Sequence, residues 1–336
     1  MPESSRQILS LLAAMSVDVT VLGSINVDLV AFCLDSSLPK PGQTVFGSLF
    51  EKNHGGKGAN QAVQAAKMGV KTRMIGRVGN DEFGRDYLEH LKQEGVLCDL
   101  IDSVNASTGL AHITVASSGE NCIVIIPGAN GEVDDAFIEM HYNKLSDTKV
   151  LLCQNEIPFD STIAGLKAAT DKGVITIFNP APAPTSDLDS FFEKLQFCGP
   201  VTYITPNETE LAALVGMDKP CVTDEEIIGA AQKLLELSGC KNVIVTLGEK
   251  GCFHLEAGGD PKFCCNPPTE SGQEGVDVVD TTGAGDSFLG TFAAHLSTGT
   301  PMMGALNVAM QAATQSVTSQ GAQASYVGLR DISIER

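Results

Sequence analysis

The sequence has little positive charge. Its 336 residues include 22 Lys and Arg against 41 Asp and Glu, a net charge of −19, and no cluster of five or more basic residues interrupts the acidity. This deficit excludes nucleic acid and anionic membrane surfaces as expected partners. A polyanionic ligand would need metal ions and local backbone dipoles, so the composition is compatible with a magnesium-bound nucleotide.

Motifs for a structural metal are missing as well. The ten cysteines form no C-x-x-C pair, and the six histidines form no H-E-x-x-H motif. The adjacent Cys264 and Cys265 have poor geometry for zinc. Many cysteines lie inside apolar runs such as 150–153, which predicts reduced, buried thiols rather than a disulfide framework.

Long apolar runs are also absent. The N-terminal stretch 8–15 is apolar but follows a single basic residue, Arg6, and no longer run occurs later. The pattern predicts neither a signal peptide nor a membrane span, so we expect a cytosolic protein. We interpret residues 1–16 as an N-terminal extension, an amphipathic helix on the surface.

Apolar periodicity predicts an α/β fold. Hydrophobic residues make up 43% of the chain, enough to bury a sizeable core. Buried strands are expected at 17–22, 72–75, 150–152, 174–178, 202–204 and 243–247, and helices at 58–68, 82–94, 162–171, 208–214 and 224–237. This alternation indicates a parallel sheet covered on both faces.

Two regions interrupt the alternation. Residues 27–51 and 109–126 contain strand-like runs without an intervening helix, which predicts a small separate sheet that could act as a lid. Residues 256–275 are interpreted as a surface loop without an assigned function.

The most informative stretch is 280–288, where a carboxylate stands beside a glycine-rich turn that opens a helix. The backbone amides of Gly283, Ala284 and Gly285 can turn toward one point, and the helix adds its dipole, so together they form a candidate anion hole. Asp286 at its rim can take the proton from a hydroxyl that attacks phosphorus. A tight strand-to-helix connection would also explain this pattern.

Other polar groups are candidates for ligand contacts. Asn26 and Asp28 are two residues apart, so in extended backbone both point to one face, where they suit a vicinal diol; a turn is the alternative. In the stretch 55–62, glycines permit close approach to a ligand, and Lys57 and Asn60 lie on the first turn of a helix.

Neither common phosphate-binding motif is present. The stretch around Lys57 is not a P-loop, because Glu51 and Gly58 stand where that motif needs Gly and Ser or Thr. The late turn is not a Rossmann fingerprint, because Phe288 occupies the position of its third glycine.

Three later segments each allow two interpretations. Asn207 and Glu210 have the spacing of a capping box and could also organise water around Mg²⁺. Residues 246–251 end a strand with two glycines, either at a ligand site or in a hairpin turn. Residues 316–325 could offer backbone oxygens to a cation or could simply end a helix.

In order and spacing, these segments resemble the PfkB sugar-kinase family, and within it the ribokinases. Two signatures carry the likeness, Gly-Gly-Lys-Gly-Ala-Asn at 55–60 and Asp-Thr-Thr-Gly-Ala-Gly-Asp at 280–286, and the match runs from about 17 to about 325. Asn-Pro-Ala-Pro-Ala at 179–183 looks like ribokinases rather than adenosine kinases or fructokinases.

The resemblance implies a ribokinase-like three-layer α/β/α sandwich with a mainly parallel sheet and a small β-sheet lid. It implies one kinase domain over 17–336, with lid segments at about 27–54 and 108–128. It also implies a homodimer that forms through the lid sheets.

The resemblance assigns roles to individual residues. Asp286 would deprotonate the 5-hydroxyl of D-ribose, and Glu210 would support Mg²⁺ through water. The implied sugar contacts are Asn26, Asp28, Gly56, Lys57, Gly58, Ala59, Asn60, Glu156 and Asp286. The implied ATP site contains Asn207, Thr246, Leu247, Gly248, Glu249, Lys250, Gly251, Gly285, Asp286 and Met310, the last packing on the base. The implied ligands of an activating K⁺ are Asp280, Thr282, Ser316, Ser319, Gly321 and Ser325.

The expected reaction is therefore the transfer of phosphate from ATP to D-ribose, giving D-ribose 5-phosphate and ADP. Two alternatives stay open. The chain could be a PfkB kinase for another sugar or nucleoside, such as deoxyribose, adenosine or fructose, or a non-catalytic sugar-binding protein.

Overall fold

Buried β-branched strands form the centre of the molecule. The computed structural model describes residues 17–142, 144, 148–265 and 276–332. The predicted N-terminal helix at 1–16 and residues 266–275 of the predicted loop lie outside these described residues.

A nine-stranded sheet is the main layer. Its order is β13-β12-β11-β10-β9-β8-β1-β4-β5, parallel from β11 to β5, with β12 and β13 antiparallel at one edge. The strands are β1 Val17–Leu22, β4 Thr72–Gly79, β5 Leu97–Val104, β8 Thr148–Cys153, β9 Ile175–Phe178, β10 Tyr203–Ile204, β11 Asn242–Thr246, β12 Cys252–Glu256 and β13 Lys262–Cys264.

Helices cover both faces of this sheet. The helices of the described part are α1 Lys57–Lys67, α2 Glu82–Gln93, α3 Asp135–His141, α4 Phe159–Thr170, α5 Leu188–Phe197, α6 Glu208–Leu214, α7 Asp224–Ser238, α8 Ala284–Ser297 and α9 Met302–Ser316. Successive residues of β8 alternate between two cores: Leu151 packs with residues of α4 to α7, and Val150 with residues of α1, α2, α8 and α9. The expected three-layer α/β/α sandwich with a mainly parallel sheet is confirmed.

The second sheet contains the two segments that interrupt the helix–strand alternation. Its strands are β2 Asn26–Cys33, β3 Gly47–Gly55, β6 Gly109–Val115 and β7 Asn121–Ile126, in the order β3-β2-β6-β7. The chain first passes from the main sheet into this small sheet over residues 23–25 and returns through residues 55–56 to α1. These two crossings lie at one junction between the sheets, because Asn26 pairs with Gly55.

The surface-loop interpretation of 256–275 was wrong at one point. Residues 262–264 form β13, which pairs antiparallel with β12. The strand has only three residues, two of them exposed, so it lacks the buried apolar run that predicts a strand.

Of the helices in the described residues, none is both long and apolar enough to span a bilayer.

Candidate active site

The N-terminal ends of α1 and α8 meet beside the carboxyl ends of β1 and β8. Asp286, in the first turn of α8, is 7% exposed. One of its carboxylate oxygens accepts from Asn60 Nδ2 at 3.0 Å and the other from Gln61 Nε2 at 2.8 Å. Two side-chain amides of α1 therefore orient this carboxylate, and each oxygen keeps a lone pair for a further donor.

The two amides are themselves held by buried glutamines. Gln154 Nε2 donates to Gln61 Oε1 at 2.6 Å, and Gln323 Nε2 donates to Asn60 Oδ1 at 2.8 Å. These hydrogen bonds connect α1 to the residues that follow β8 and α9.

Glu156 joins the loop after β1 to the start of α1. Its Oε2 accepts from Ser24 Oγ at 2.6 Å and from the backbone N–H of Lys57 at 2.9 Å. The Ser24 hydroxyl in turn accepts from the N–H of Gly58 at 3.2 Å. Ala59, an expected sugar contact, is instead fully buried with its N–H bonded to the Ser24 carbonyl, so its side chain packs in the core.

Asn26 and Asp28 lie on β2, at the entry to the small sheet. Asn26 Oδ1 accepts from Asn130 Nδ2 at 2.7 Å. Asp28 lies against Gly55, where a Cβ would stand 2.2 Å from its Oδ2, so only glycine permits this contact. Burial, followed by the charges of Glu156 and Asp286, raises the pKa of Asp28 to about 7.

Lys57 lies among the acidic side chains. Burial alone would lower the pKa of its ammonium, but the charges of Asp286, Glu156 and Glu210 outweigh it and raise that pKa. The positively charged ammonium of Lys57 thus interacts both with the expected sugar contact Glu156 and with Glu210, the residue expected to support Mg²⁺.

Asn207 and Glu210 form the expected capping box at the start of α6. Asn207 Oδ1 accepts from the N–H of Glu210 at 2.8 Å, and Glu210 Oε2 accepts from the N–H of Asn207 at 2.9 Å. Burial raises the pKa of Glu210, although the hydrogen bond from Asn207 and the charge of Lys57 oppose the shift. Oε1 of Glu210 keeps no hydrogen bond within the described residues, so it can accept from a water bound to Mg²⁺.

Residues 246–251 form the hairpin between β11 and β12. The N–H of Leu247 donates to the carbonyl of Gly251 at 2.9 Å, and Gly248, Glu249 and Lys250 form a 3₁₀ turn. The interpretation as a hairpin turn is therefore confirmed. The interpretation as a ligand site stays a prediction, which is compatible with the position of the hairpin at the carboxyl end of β11. An isolated bridge joins Thr246 to Asn207 and so places the turn beside α6.

Met310 on α9 is buried beside Cys252, the residue that follows this turn. It is 2% exposed, and its sulfur lies 3.8 Å from Sγ of Cys252. The expectation that Met310 packs on the base is not supported, because a buried thioether in the core offers no surface to a nucleotide.

The glycine turn before α8 carries the candidate anion hole. Gly283 has φ 76°, and its carbonyl accepts from the Tyr326 hydroxyl at 3.0 Å. The N–H of Ala284 donates to the carbonyl of Thr281 at 3.3 Å, whereas those of Gly283 and Gly285 have no acceptor among the described residues. Two of the three expected amides are therefore free to bind an anion.

The expected K⁺ ligands lie beside the glycine turn. Asp280 accepts from the N–H and hydroxyl of Thr282 at 2.9 and 2.7 Å, and from the N–H of Gly321 at 2.9 Å. Burial would raise the pKa of Asp280, but these hydrogen bonds outweigh it and hold the pKa below its usual value.

Backbone oxygens would supply most of the remaining ligands. The hydroxyls of Ser316 and Ser325 donate to carbonyls three residues earlier, at Ala313 and Ala322. The N–H of Ser319 approaches the Ser316 carbonyl at 3.5 Å. One carboxylate with backbone oxygens is a donor set that fits K⁺, and the described residues contain no cluster of three or more His, Cys, Asp or Glu that could hold a metal ion.

The model of the pfkB family of carbohydrate kinases matches residues 17–327. The chain belongs to this family. The ribokinase of Mus musculus is 40% identical over 94% of this chain and 93% of its own length, and the deoxyribokinase of Salmonella typhimurium is 33% identical over 92% and 95%. The solved ribokinase of Arabidopsis thaliana, complexed with ribose and ATP, is 34% identical, with a TM-score of 0.79 over 94% of this chain and 97% of its own.

Within this carbohydrate kinase, the fold brings the two signature stretches into direct contact, since Asn60 of the first bonds Asp286 of the second. Sequence reasoning missed Gln61, Gln154 and Gln323. Gln61 follows Asn60 directly and could have been found from its place on the same helix turn. Gln323 had no such signal, because its partner Asn60 is 263 residues away.

Proposed function

We propose that this kinase transfers the γ-phosphoryl group of ATP to the 5-hydroxyl of D-ribose, giving D-ribose 5-phosphate and ADP. The observation that carries the proposal is the position of Asp286, a carboxylate oriented by two amides next to the free N–H groups of Gly283 and Gly285. Base and anion hole therefore lie on one helix turn. The 40% identity to a ribokinase over nearly the whole chain supports ribose as the acceptor.

The sugar would bind at the junction of the two sheets. Asn26 and Asp28 would contact its vicinal hydroxyls, and Glu156 and Lys57 the hydroxyls nearer α1. The charges of Asp28 and Lys57 each interact with those of Glu156 and Asp286, which supports a shared site. The primary hydroxyl then faces the carboxylate that must accept its proton.

Phosphoryl transfer follows from this arrangement. The ribose 5-oxygen forms a bond to the γ-phosphorus while the bond to the β-bridging oxygen of ADP breaks, and the hydroxyl proton passes to Asp286. The N–H groups of Gly283 and Gly285 and the α8 dipole stabilise charge on the transferring group. Positioning and electrostatics supply most of the rate enhancement.

An ATP-dependent kinase also needs a divalent cation, which neutralises phosphate charge when bound. We propose Mg²⁺ in this role, supported by Glu210 through water. We propose that Asp280 and Thr282, with backbone oxygens of Ser316, Ser319, Gly321 and Ser325, hold K⁺. ATP would lie along Asn207 and the hairpin turn 246–251.

The molecule is proposed to act as one kinase domain over 17–336, with 27–54 and 108–128 as a lid. We further propose that two copies pair through these small sheets. Apolar side chains exposed there support the pairing: Phe46, Leu49, Phe50, Ile123, Val124, Ile125 and Ile126. A cytosolic location stays a prediction.

The decisive experiment replaces the base. Asp286→Asn keeps the size of the side chain but removes its basicity, so turnover should fall by about 10²- to 10⁴-fold while ribose affinity changes much less. A coupled ADP assay measures the first and calorimetry the second. Asp224→Asn, a carboxylate in the first turn of α7, is the matched control. Near-wild-type turnover in Asp286→Asn would eliminate Asp286 as the base.

A second candidate substrate is 2-deoxyribose, because a deoxyribokinase is 33% identical over nearly the whole chain. An Asp28 contact to the diol favours ribose, since the deoxy sugar leaves that acceptor unpaired. Competition between the two sugars in the ADP assay distinguishes them. A preference for 2-deoxyribose would overturn the ribose assignment without affecting Asp286.

A further inference from the structure

Gln323 is a buried amide that no part of the reaction described above uses. It begins the 3₁₀ turn Gln323–Ser325 after α9 and is 5% exposed. Its Nε2 donates to Asn60 Oδ1 and to the Tyr87 hydroxyl, both at 2.8 Å. Its Oε1 lies 2.7 Å from Nε2 of His90. Every polar atom of this side chain therefore has a partner.

The Tyr87 hydroxyl determines which groups donate and which accept in these hydrogen bonds. The Tyr87 hydroxyl donates its single proton to the carbonyl of Gly55 at 2.6 Å, so it can only accept from Gln323. Gln323 must therefore turn its NH₂ group toward Tyr87 and Asn60. Its second N–H then points at Oδ1 of Asn60.

The same logic fixes Asn60. Because Oδ1 receives the proton from Gln323, the NH₂ group of Asn60 faces Asp286, to which it donates at 3.0 Å. A flipped Asn60 would turn its oxygen toward the carboxylate and lose both hydrogen bonds. An uninterrupted donor–acceptor sequence thus runs from the Gly55 carbonyl to Asp286.

The amide oxygen of Gln323 contacts His90, which itself has further partners. His90 on α2 stacks on His54 of β3 with ring centroids 3.9 Å apart and an interplanar angle of 4°. His54 Nε2 lies 3.3 Å from a carboxylate oxygen of Asp86. Gln323 therefore joins α2 and the small sheet to the first turn of α1.

We propose that Gln323 is a positioning residue for phosphoryl transfer, which aligns the Asn60 amide and, through it, the carboxylate of Asp286. This rests on the proposed function, in which Asp286 is the base. Gln323 acts through Asn60 and touches neither sugar nor nucleotide.

Two substitutions separate hydrogen bonding from filling of space. Gln323→Met keeps the size of the side chain but cannot donate to Asn60, so kcat should fall by about 10- to 100-fold, the usual effect of a misplaced reacting group, while KM for ATP stays within about twofold. Gln323→Glu keeps the acceptor for His90 but also offers Asn60 no donor, so it should lose at least as much. Wild-type kcat in both variants would overturn the proposal.

A double-mutant cycle with Asn60→Ala tests whether Gln323 acts through Asn60. Gln323→Met should lower kcat of the otherwise wild-type kinase and change it by less than about twofold once Asn60 is alanine. The control is Gln64→Met: Gln64 is also buried, on α1, but it donates to the carbonyl of Val327 and accepts from Ser287. Gln64→Met should change kcat by the same factor in the otherwise wild-type kinase and in Asn60→Ala.

The outcomes are distinguishable. If Gln323→Met costs the same factor in both backgrounds, Gln323 has only a structural role and the inference fails. If Asp286→Asn retains turnover, both the inference and the assignment of the base fail. Thermal unfolding accompanies each assay. Should Gln323→Met not fold, Tyr87→Phe removes the other acceptor of the Gln323 amide, and a kcat loss that persists in Asn60→Ala would contradict the proposal.

Discussion

Asp28 is the residue whose protonation should control sugar binding. Its pKa is raised to about 7 by burial and by the charges of Glu156 and Asp286. Below this pH the protonated carboxyl accepts hydroxyl hydrogens poorly, and above it the carboxylate can accept from both hydroxyls of a diol. We expect kcat/KM for ribose to rise as pH increases through about 7, because that quantity reports ionisations of the free enzyme.

The measurement is kcat/KM for ribose between about pH 6 and 8.5. Asp28→Asn should abolish the part of the rise that comes from this residue. An identical pH profile in wild type and variant would assign the rise to another group.

The same carboxyl should affect stability. In the unfolded chain an Asp has a pKa of about 4, so between about pH 4 and 7 the folded state binds more protons at Asp28 than the unfolded state does. Its contribution to the free energy of unfolding is therefore largest below about pH 4 and is lost as pH rises through about 7. Urea unfolding across this range should show a shallower decline in Asp28→Asn than in the wild type.

At this scale the sequence predicts contiguous site residues better than distant ones. Asp286, Asn60 and Lys57 lie in two short signature stretches, where residue type and spacing already indicate the chemistry. Gln154 could not be predicted from such spacing, since it bonds Gln61 from 93 residues away. Met310 was expected to contact the base from its position in the sequence alone. Spacing in the sequence does not show that a side chain is buried, as that of Met310 is.

At the scale of elements, the turn before α8 combines two glycines with different structural demands. Gly283 has φ 76°, and a Cβ there would lie 2.6 Å from the Tyr326 hydroxyl, whereas a Cβ at Gly285 meets no atom within 4 Å. Gly283→Ala should cost on the order of 1–3 kcal/mol in the free energy of unfolding, because it adds strain as well as a clash.

Gly285→Ala should leave the melting temperature unchanged or slightly higher, since alanine favours helix over glycine. Its methyl group nevertheless stands beside the anion hole, so we expect kcat to fall by about 10- to 100-fold through misplacement of the phosphoryl group. Melting curves and ADP-release kinetics of the two variants test this contrast. Full activity in Gly285→Ala would place the phosphate elsewhere.

The elements that the sequence predicted are those with uninterrupted apolar patterns. Strand β1 and helices α1, α2, α4, α6 and α7 were expected at nearly their observed positions. Three strands of the main sheet were missed, β5, β12 and β13. Two of them, β5 and β13, are the edges of the sheet. Edge strands carry charges that break the apolar run, as Asp99 and Asp102 do in β5, so periodicity gives them no signal.

At the scale of the whole molecule, the exposed apolar side chains of the small sheet should determine the oligomeric state. Ile123 on β7 is 51% exposed and Phe50 on β3 is 61% exposed. If two copies pair there, Ile123→Lys would place a charge in the interface and shift the kinase toward monomer in sedimentation experiments. Met140→Lys on α3, where the side chain is 70% exposed, is the control and should leave the assembly unchanged. A monomeric wild type would contradict the proposed pairing.

Two of the crossings between the sheets, at residues 23–25 and 55–56, border the proposed sugar contacts, whereas the hairpin that they enclose extends outward to an exposed tip at 34–46. Substitutions should therefore be tolerated less at the roots of this hairpin than at its tip. Mutations at the roots of the hairpin should change the chemistry, whereas insertions at its tip should change only the proposed pairing of two copies. If two copies pair as proposed, catalysis and assembly can evolve independently on one continuous piece of chain.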